Sequence, residues 1–389
     1  MSQLTDFRRA ELTEAFAPGV KGRFGDAEFA PDLGDWRAAL GLAQRSGDLL
    51  VEETGFAHGR TSSGVGVRRI FLEIRGVRFG EKTPGLLGIE EVEDHFRAAH
   101  EIAVEESRGV SLDYFGSDYR LPPNRLSSAE CESLFDQRSV AAAFMTPEVS
   151  IDPETLADMV RARISADSKI RCVLGAHVHA VESAEKPTVT FEMSGTSASE
   201  QYDHVVNCLW DGRLAIDRTA GLGPERPWLY RLEHYLRLRA PALAAAVPSV
   251  TIILGPFGTI AAYGTGDFYL SWYPASMRAM SSALSPPAWS LVRDEAASLQ
   301  MRRSILAGLA RVVPSVGRLT PETIEFCQVK GGIAFAWGKS DIDDPASGLH
   351  ERHAIGPVSR GRYHTIDTGK LTMAPLFGKL VADRIRQIG

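Results

Sequence analysis

The sequence predicts an α/β fold with two lobes, a nucleotide-binding βαβ lobe and a lobe built on an antiparallel sheet. The chain has 389 residues, more than a single hydrophobic core usually supports. Apolar strand-like runs alternate with helical patterns near the N-terminus and in mid-chain. The segments "LYRLEHYLRLRAP", "SVTIILGPFG", "TIAAYG" and "DFYLSWYP" instead alternate with a period of two, as in an antiparallel sheet with one face towards a cavity.

The order of these patterns predicts that both lobes are discontinuous in sequence. We expect residues 30–85, 150–215 and 325–389 to form the nucleotide-binding lobe. Residues 86–149 and 216–324 are expected to form the substrate lobe, or cap.

Composition argues against several classes of partner. The net charge of -6 and the scattered Lys and Arg residues argue against nucleic acid. No run reaches the roughly 18 apolar residues that cross a bilayer, and the polar start "SQLTDFRRAEL" does not resemble a signal peptide, so a cytoplasmic protein is expected. The four cysteines are far apart in sequence, which favours small buried side chains over a metal site or a disulfide framework; they are Cys131, Cys172, Cys208 and Cys327. No metal site is predicted, and the oligomeric state stays open.

The N-terminal part resembles an incomplete dinucleotide-binding unit. "DWRAALGLAQRSG" predicts a helix, and "DLLVEE" predicts a strand that ends in Glu52 and Glu53. A carboxylate at that place can bind a ribose, and a glycine-rich phosphate loop is expected about 20 residues upstream. The sequence contains no G-x-G-x-x-G, and Gly34 stands alone upstream of the strand.

The middle of the chain is more legible. "SIDPETLADMVRARISAD" predicts a helix with Asp152 as its N-cap and Pro153 at its first position. Strands are predicted next at "KIRCVLG", "AHVHAVES" and "PTVTFEM", followed by an apolar return strand in "YDHVVNCLWDGR".

Three stretches in this order resemble the FAD-dependent oxidoreductases of the D-amino-acid oxidase and glycine oxidase group. They are "VEETGFAHGRTSSGVG", "VSIDPETLADMVRARI…VHAVES…YDHVVNCLWDGR" and "YHTIDTGKLTMAPLFGKLVADRI". The resemblance implies a two-lobed FAD-dependent-oxidoreductase-like fold with FAD as cofactor. The departure is the absent glycine fingerprint, which in this group contacts the FAD pyrophosphate. The cofactor-binding residues implied are Glu52, Glu53, Ser62, Ser63, Gly64, Val178, Asn207, Gly369, Lys370, Leu371 and Thr372.

Several side chains are candidates for contact with a small-molecule substrate. An arginine can hold a carboxylate through two parallel hydrogen bonds, an inward aromatic residue can line a pocket, and a histidine near the Gly369 loop can contact flavin or substrate. No catalytic base is assigned. Asp341, Asp343 and Asp344 lack the spacing of an EF-hand loop and favour a capped turn. The substrate candidates are Arg213, Arg231, Tyr273 and His364, with Arg237 as a further arginine.

The sequence therefore predicts a flavin enzyme that oxidises a C–N or C–OH bond of a small amino acid-like or hydroxy acid-like substrate. A second hypothesis stays open: a non-catalytic relative that keeps the fold as a binding or scaffold module and has lost FAD.

Overall fold

The computed structural model describes residues 68–74, 77–78, 81–82, 88–108, 118, 120–253, 257–286, 294–341, 344, 347, 355–367 and 373–388. The predicted strand "DLLVEE" and the helix before it lie outside these residues.

The described residues form strands of 2 to 12 residues in four sheets. The strands are β1 (Arg68–Ile74), β2 (Val77–Arg78), β3 (Glu81–Lys82), β4 (Asn124–Arg125), β5 (Val140–Val149), β6 (Ala176–Glu182), β7 (Thr188–Met193), β8 (Thr196–Gln201), β9 (Val205–Asn207), β10 (Trp228–Arg239), β11 (Val250–Ile253), β12 (Gly258–Ala262), β13 (Asp267–Trp272), β14 (Met277–Ser281), β15 (Phe326–Trp337), β16 (Gly356–Arg360) and β17 (Tyr363–Asp367).

The helices vary more in length, from 4 to 18 residues. They are α1 (Ile89–Glu106), α2 (Ser128–Leu134), α3 (Pro153–Ala166), α4 (Arg213–Thr219), α5 (Tyr273–Ser276), α6 (Glu295–Ala310) and α7 (Ala374–Ile388). Short 3-10 turns lie at Trp210–Gly212, Pro241–Leu243 and Pro314–Arg318.

The largest sheet has nine strands in the order β14-β10-β13-β12-β11-β1-β5-β4, with β15 paired to β10. Strand β10 is central to the predicted substrate lobe, because β15 pairs with it from Trp228 to Arg239 while β13 and β14 pair with its two halves. The predicted period of two is confirmed in the second half of β10, where buried and partly exposed residues alternate from Leu232 to Arg239.

The apolar face of this sheet packs against α6. Leu236, Ile260 and Leu270 belong to the same buried cluster as Ile305 and Leu309 of the helix. One face of the sheet is therefore filled by core, which leaves the opposite face to carry the polar residues of β10.

A second, smaller sheet has the order β16-β17-β9, in which β9 and β17 are parallel. The predicted return strand is thus present, but it covers only Val205–Asn207, and a 3-10 turn at Trp210–Gly212 leads into α4. Asn207 and Asp367 stand at the carboxyl ends of the two parallel strands.

The predicted mid-chain helix is confirmed as α3. The Asp152 side chain accepts a hydrogen bond from the amide of Glu154, and Pro153 occupies the first turn. Strands β6 and β7 are also confirmed.

The strand predicted at "KIRCVLG" is wrong, because residues 169–175 are irregular and end in a turn at Gly175. Ile170, Val173 and Leu174 of this segment are exposed, so no apolar face is buried that would stabilise a strand. Strand β8 was not predicted; its sequence "TSASEQ" is polar and exposed, and pairing with β7 gives it its conformation.

The division into lobes remains a prediction. Two strands placed in the nucleotide-binding lobe, β1 and β15, lie in the large sheet.

Of the cysteines, Cys131 is buried as expected, whereas Cys172 and Cys208 are exposed. Within the described ranges, no helix combines the length and the apolar character that crossing a bilayer requires.

Candidate functional site

Two of the predicted substrate residues meet on the polar face of the large sheet. Arg231 of β10 donates a hydrogen bond from Nη1 to the hydroxyl oxygen of Tyr273, at 3.3 Å. Tyr273 begins α5 directly after β13, and its hydroxyl lies 2.7 and 2.8 Å from the two carboxylate oxygens of Asp341. We call Arg231 and Tyr273 the clamp.

The clamp combines a buried cation with nearby carboxylates. The Arg231 side chain is 6% exposed, and its Nη1 lies 3.5 Å from Glu233 and 3.6 Å from Asp341. Burial alone would lower the pKa of Arg231, but Glu233, Tyr273 and Asp341 outweigh it and the pKa is raised. Burial, with the hydrogen bond to Asp341, raises the pKa of Tyr273. Arg231 is therefore charged and Tyr273 protonated at neutral pH.

One donor of the clamp has no acceptor in the described part of the chain. The Arg231 Nε is buried and makes no hydrogen bond there. A buried donor without a partner costs free energy, and such groups in native proteins often mark a place where a ligand or water binds.

Arg237 has a structural role instead. Its Nη2 donates to Asp152 at 2.8 Å and its guanidinium lies over the ring of Tyr263. Because Asp152 also caps α3, this contact fixes the start of α3 against β10.

A second polar cluster is buried at the carboxyl ends of β9 and β17, around Asp217 of α4. The Asp217 carboxylate accepts hydrogen bonds from Asn207 at 2.9 Å, Tyr363 at 2.7 Å and Thr365 at 3.0 Å. Asn207 also donates to the Arg213 carbonyl and accepts from the Leu209 amide, so its side chain is committed to internal contacts. Burial is the main cause of a raised pKa of Tyr363, with Asp217 as the next cause.

Arg213 belongs to this cluster and not to the clamp. It pairs with Asp217 at 3.2 Å, and its Nη2 lies 3.6 Å from Asp367. Its guanidinium stacks over Phe335, which pairs with Tyr230, the strand neighbour of Arg231. Adjacent residues of a strand point to opposite faces, so Arg213 and Arg231 lie on opposite sides of the large sheet.

His364 contacts Ser359 and His204 rather than the clamp. Its ring is fully buried, with Nδ1 2.8 Å from the Ser359 hydroxyl and Nε2 3.2 Å from Nδ1 of His204. Burial, together with His204 and Arg384, lowers the pKa of His364.

The implied cofactor residues divide into two groups. Val178 lies in β6 and packs on the small cluster of Val181, Ile216 and Tyr363, while Asn207 is in the Asp217 cluster. Outside the described residues lie Glu52, Glu53, Ser62, Ser63, Gly64, Gly369, Lys370, Leu371 and Thr372.

Asp217 was not among the sequence candidates. Its signal is the spacing "RLAID", because Arg213 and Asp217 are four residues apart on one helix and can pair. Asp341 was assigned only to a turn, and no local pattern indicates that it contacts Tyr273, 68 residues away.

The chain matches no protein-family model, and no curated protein matches it by sequence. It is similar in structure to L-proline dehydrogenase from P. horikoshii, with a TM-score of 0.55 and 15% identity over 98% of this chain and 90% of that one. It is also similar to a single-residue variant of NikD, an unusual amino acid oxidase essential for nikkomycin biosynthesis. That TM-score is 0.51, at 13% identity over 82% of this chain and 73% of that one.

Both neighbours are, by their names, enzymes that oxidise amino acids. The predicted α/β, FAD-dependent-oxidoreductase-like fold is confirmed, and so is the resemblance seen in the sequence at the level of fold.

Proposed function

We propose that this protein is an FAD-dependent oxidoreductase that oxidises the C–N or C–OH bond of a small amino acid-like or hydroxy acid-like substrate. The clamp carries the proposal: a buried arginine and a tyrosine hydroxyl lie together on the polar face of a sheet. An arginine with a neighbouring hydroxyl binds and orients a carboxylate. The fold similarity to two amino acid-oxidising enzymes supports the same class of reaction.

The residues at the small sheet fit a cofactor. In open α/β sheets, ligands bind outside the carboxyl ends of parallel strands, and here Asn207 at the end of β9 pairs with Thr365, two residues before the end of β17. At that place the buried Nη2 of Arg213 has no hydrogen-bond acceptor in the described part of the chain. The segment with Gly369 and Lys370 follows β17 directly in sequence. We assign FAD to this side, where Val178 and Asn207 lie; Gly369, Lys370, Leu371 and Thr372 are cofactor residues implied by the sequence resemblance.

When bound, FAD supplies the two-electron acceptor for the hydride that leaves the substrate carbon. Arg231 and Tyr273 hold the substrate so that this carbon is presented in one orientation. The amine or hydroxyl of the substrate loses its proton as the hydride leaves, which gives an imine or a carbonyl. No base of the chain is assigned to that proton.

Anaerobic mixing of the FAD-loaded protein with a panel of amino and hydroxy acids tests the proposal. Loss of the visible flavin band with one class of substrate supports it. Arg231→Lys should raise the half-saturating substrate concentration by about tenfold or more, since an ammonium cannot make the two parallel bonds of a guanidinium. Arg239→Lys, on the same strand and 43% exposed, is the matched control and should change it little.

A second candidate function rests on the absent glycine fingerprint. In that case the chain is a non-catalytic binding module that has lost FAD and keeps the clamp. Such a protein would bind small acids through Arg231 in calorimetry, would retain no flavin and would oxidise none of the panel.

A further inference from the structure

We propose that Asp341 is a specificity-determining residue. Its carboxylate occupies the place beside Arg231 and Tyr273 where the carboxylate of a substrate would bind. This inference rests on the proposed function, because it concerns the substrate class that the clamp accepts. A substrate carboxylate must displace Asp341 to reach Arg231 and Tyr273, so Asp341 lowers the affinity of the clamp for any carboxylate and favours substrates whose other contacts compensate for that loss.

The first observation concerns the hydroxyl of Tyr273. Its hydroxyl has a single proton, and both oxygens of Asp341 lie within 2.8 Å of it. The Tyr273 oxygen in turn accepts from Arg231 Nη1. The one proton that Tyr273 can offer to a ligand carboxylate is therefore already given to Asp341.

The position of Arg231 carries the second step. Its Nη1 lies 3.6 Å from an Asp341 oxygen, and the two side chains are 6% and 15% exposed. A ligand carboxylate at the same place would bring two like charges together in a poorly hydrated site, where their repulsion is weakly screened.

Hydrogen bonds hold the described backbone around Asp341. Gly338 directly follows β15 with a φ of 137°, which favours glycine, and its amide donates to the Pro227 carbonyl at 2.9 Å. The Asp341 carbonyl accepts from the Asp344 amide at 3.1 Å, and Ser347 donates to the Ser340 carbonyl at 2.7 Å. These bonds hold the backbone beside Asp341, whose side chain reaches both members of the clamp.

Calorimetric titration of the full chain with propionate and with propylamine tests this. These probes have similar size and opposite charge, and their binding is measured without turnover. Asp341→Asn keeps the shape of the side chain and removes its charge. Its affinity for propionate should rise about tenfold or more relative to wild type, while its affinity for propylamine should not rise.

Glu233→Gln is the matched control, because it removes a carboxylate 3.5 Å from Arg231 Nη1, close to the 3.6 Å of Asp341. The Glu233 side chain is 33% exposed and therefore better hydrated than that of Asp341 at 15%. We expect it to change propionate affinity by less than about threefold. An equal gain in both variants would show a general charge effect and overturn the inference. An unchanged propionate affinity in Asp341→Asn would overturn it as well. If that variant does not fold, Asp341→Ala is titrated in its place with the same expectation.

These outcomes separate the inference from the proposed function. A protein that oxidises substrate while Asp341→Asn leaves propionate affinity unchanged contradicts the inference alone. A protein whose propionate affinity rises in Asp341→Asn, and which neither retains flavin nor oxidises any substrate, contradicts the proposed function alone.

Discussion

Asp217 joins β9, β17 and α4 beside the small sheet. Its side chain is 3% exposed, and it is compensated by the guanidinium of Arg213 and by three neutral donors, from Asn207, Tyr363 and Thr365. A buried carboxylate needs such partners, because its removal from water costs several kcal/mol. Breaking a buried ion pair by removing one partner costs about 3–5 kcal/mol. Three separate chain segments are joined at this carboxylate.

Asp217→Ala should lower the free energy of unfolding by about 3–5 kcal/mol. It leaves the buried charge of Arg213 without this partner and removes the acceptor of three hydrogen bonds. Urea unfolding followed by circular dichroism measures this. Asp158→Ala is the control. Asp158 also pairs with an arginine of its own helix, Arg161, but both side chains are more than 70% exposed. We expect the control to change stability by less than about 1 kcal/mol. Equal losses in the two variants would show that Asp217 is not a central partner.

His364 should make stability dependent on pH. Its folded-state pKa lies below the ordinary value because burial, His204 and Arg384 disfavour the charged ring. The unfolded chain therefore binds the proton more readily, and stability is lost as pH falls below the unfolded pKa of about 6.5. Other groups that face this ring are the Ser359 hydroxyl and, through His204, Arg362.

Urea midpoints at about pH 8 and about pH 5 measure this dependence. His364→Gln should reduce the loss of stability between the two pH values. His179→Gln replaces a histidine that is 46% exposed and should leave the loss as in wild type. A loss that is unchanged in His364→Gln would contradict the assignment.

The packing of α6 on β13 depends on a glycine. A Cβ on Gly308 would lie 2.4 Å from two atoms of the Trp272 indole, which is itself buried. The absence of a side chain lets the helix approach the sheet closely. Gly378 in α7 is also helical, but among the described residues a Cβ there would meet no atom within 4 Å.

Gly308→Ala and Gly378→Ala should therefore have opposite effects. Alanine is favoured over glycine in a helix by about 1 kcal/mol, so Gly378→Ala should stabilise the protein by about 0.5–1 kcal/mol. At Gly308 the clash with Trp272 outweighs that gain, and we expect a net destabilisation of about 1–3 kcal/mol. Thermal unfolding of the two variants compares them directly. Stabilisation by both would mean that α6 does not pack as described.

Elements with a strong local signal were predictable. The period of two located β10, β11, β12 and β13, and the Asp-Pro start located α3, because both signals act within a few residues. "KIRCVLG" was predicted wrongly because an apolar run indicates burial without saying which partner provides it. Strand β8 was missed for the converse reason, since pairing with β7 overrides its weak propensity.

At the scale of the whole molecule, only part of the candidate site was predictable from the sequence. Arg231 and Tyr273 were chosen by residue type and by position in the predicted sheet, although they are 42 residues apart. Their contact depends on the pairing of β10 and β13, which no single stretch specifies. Arg213 was also a substrate candidate, and its stacking over Phe335 places it on the opposite face of the large sheet from Arg231. The contacts of Asp341 required the tertiary structure.

The visible absorption spectrum of the purified protein, taken after addition of FAD and desalting, tests the central claim most directly. We expect a retained flavin band, because we propose that FAD binds at the carboxyl ends of β9 and β17 without a standard glycine fingerprint. A folded protein that remains colourless after this treatment would contradict FAD-dependent catalysis by this chain.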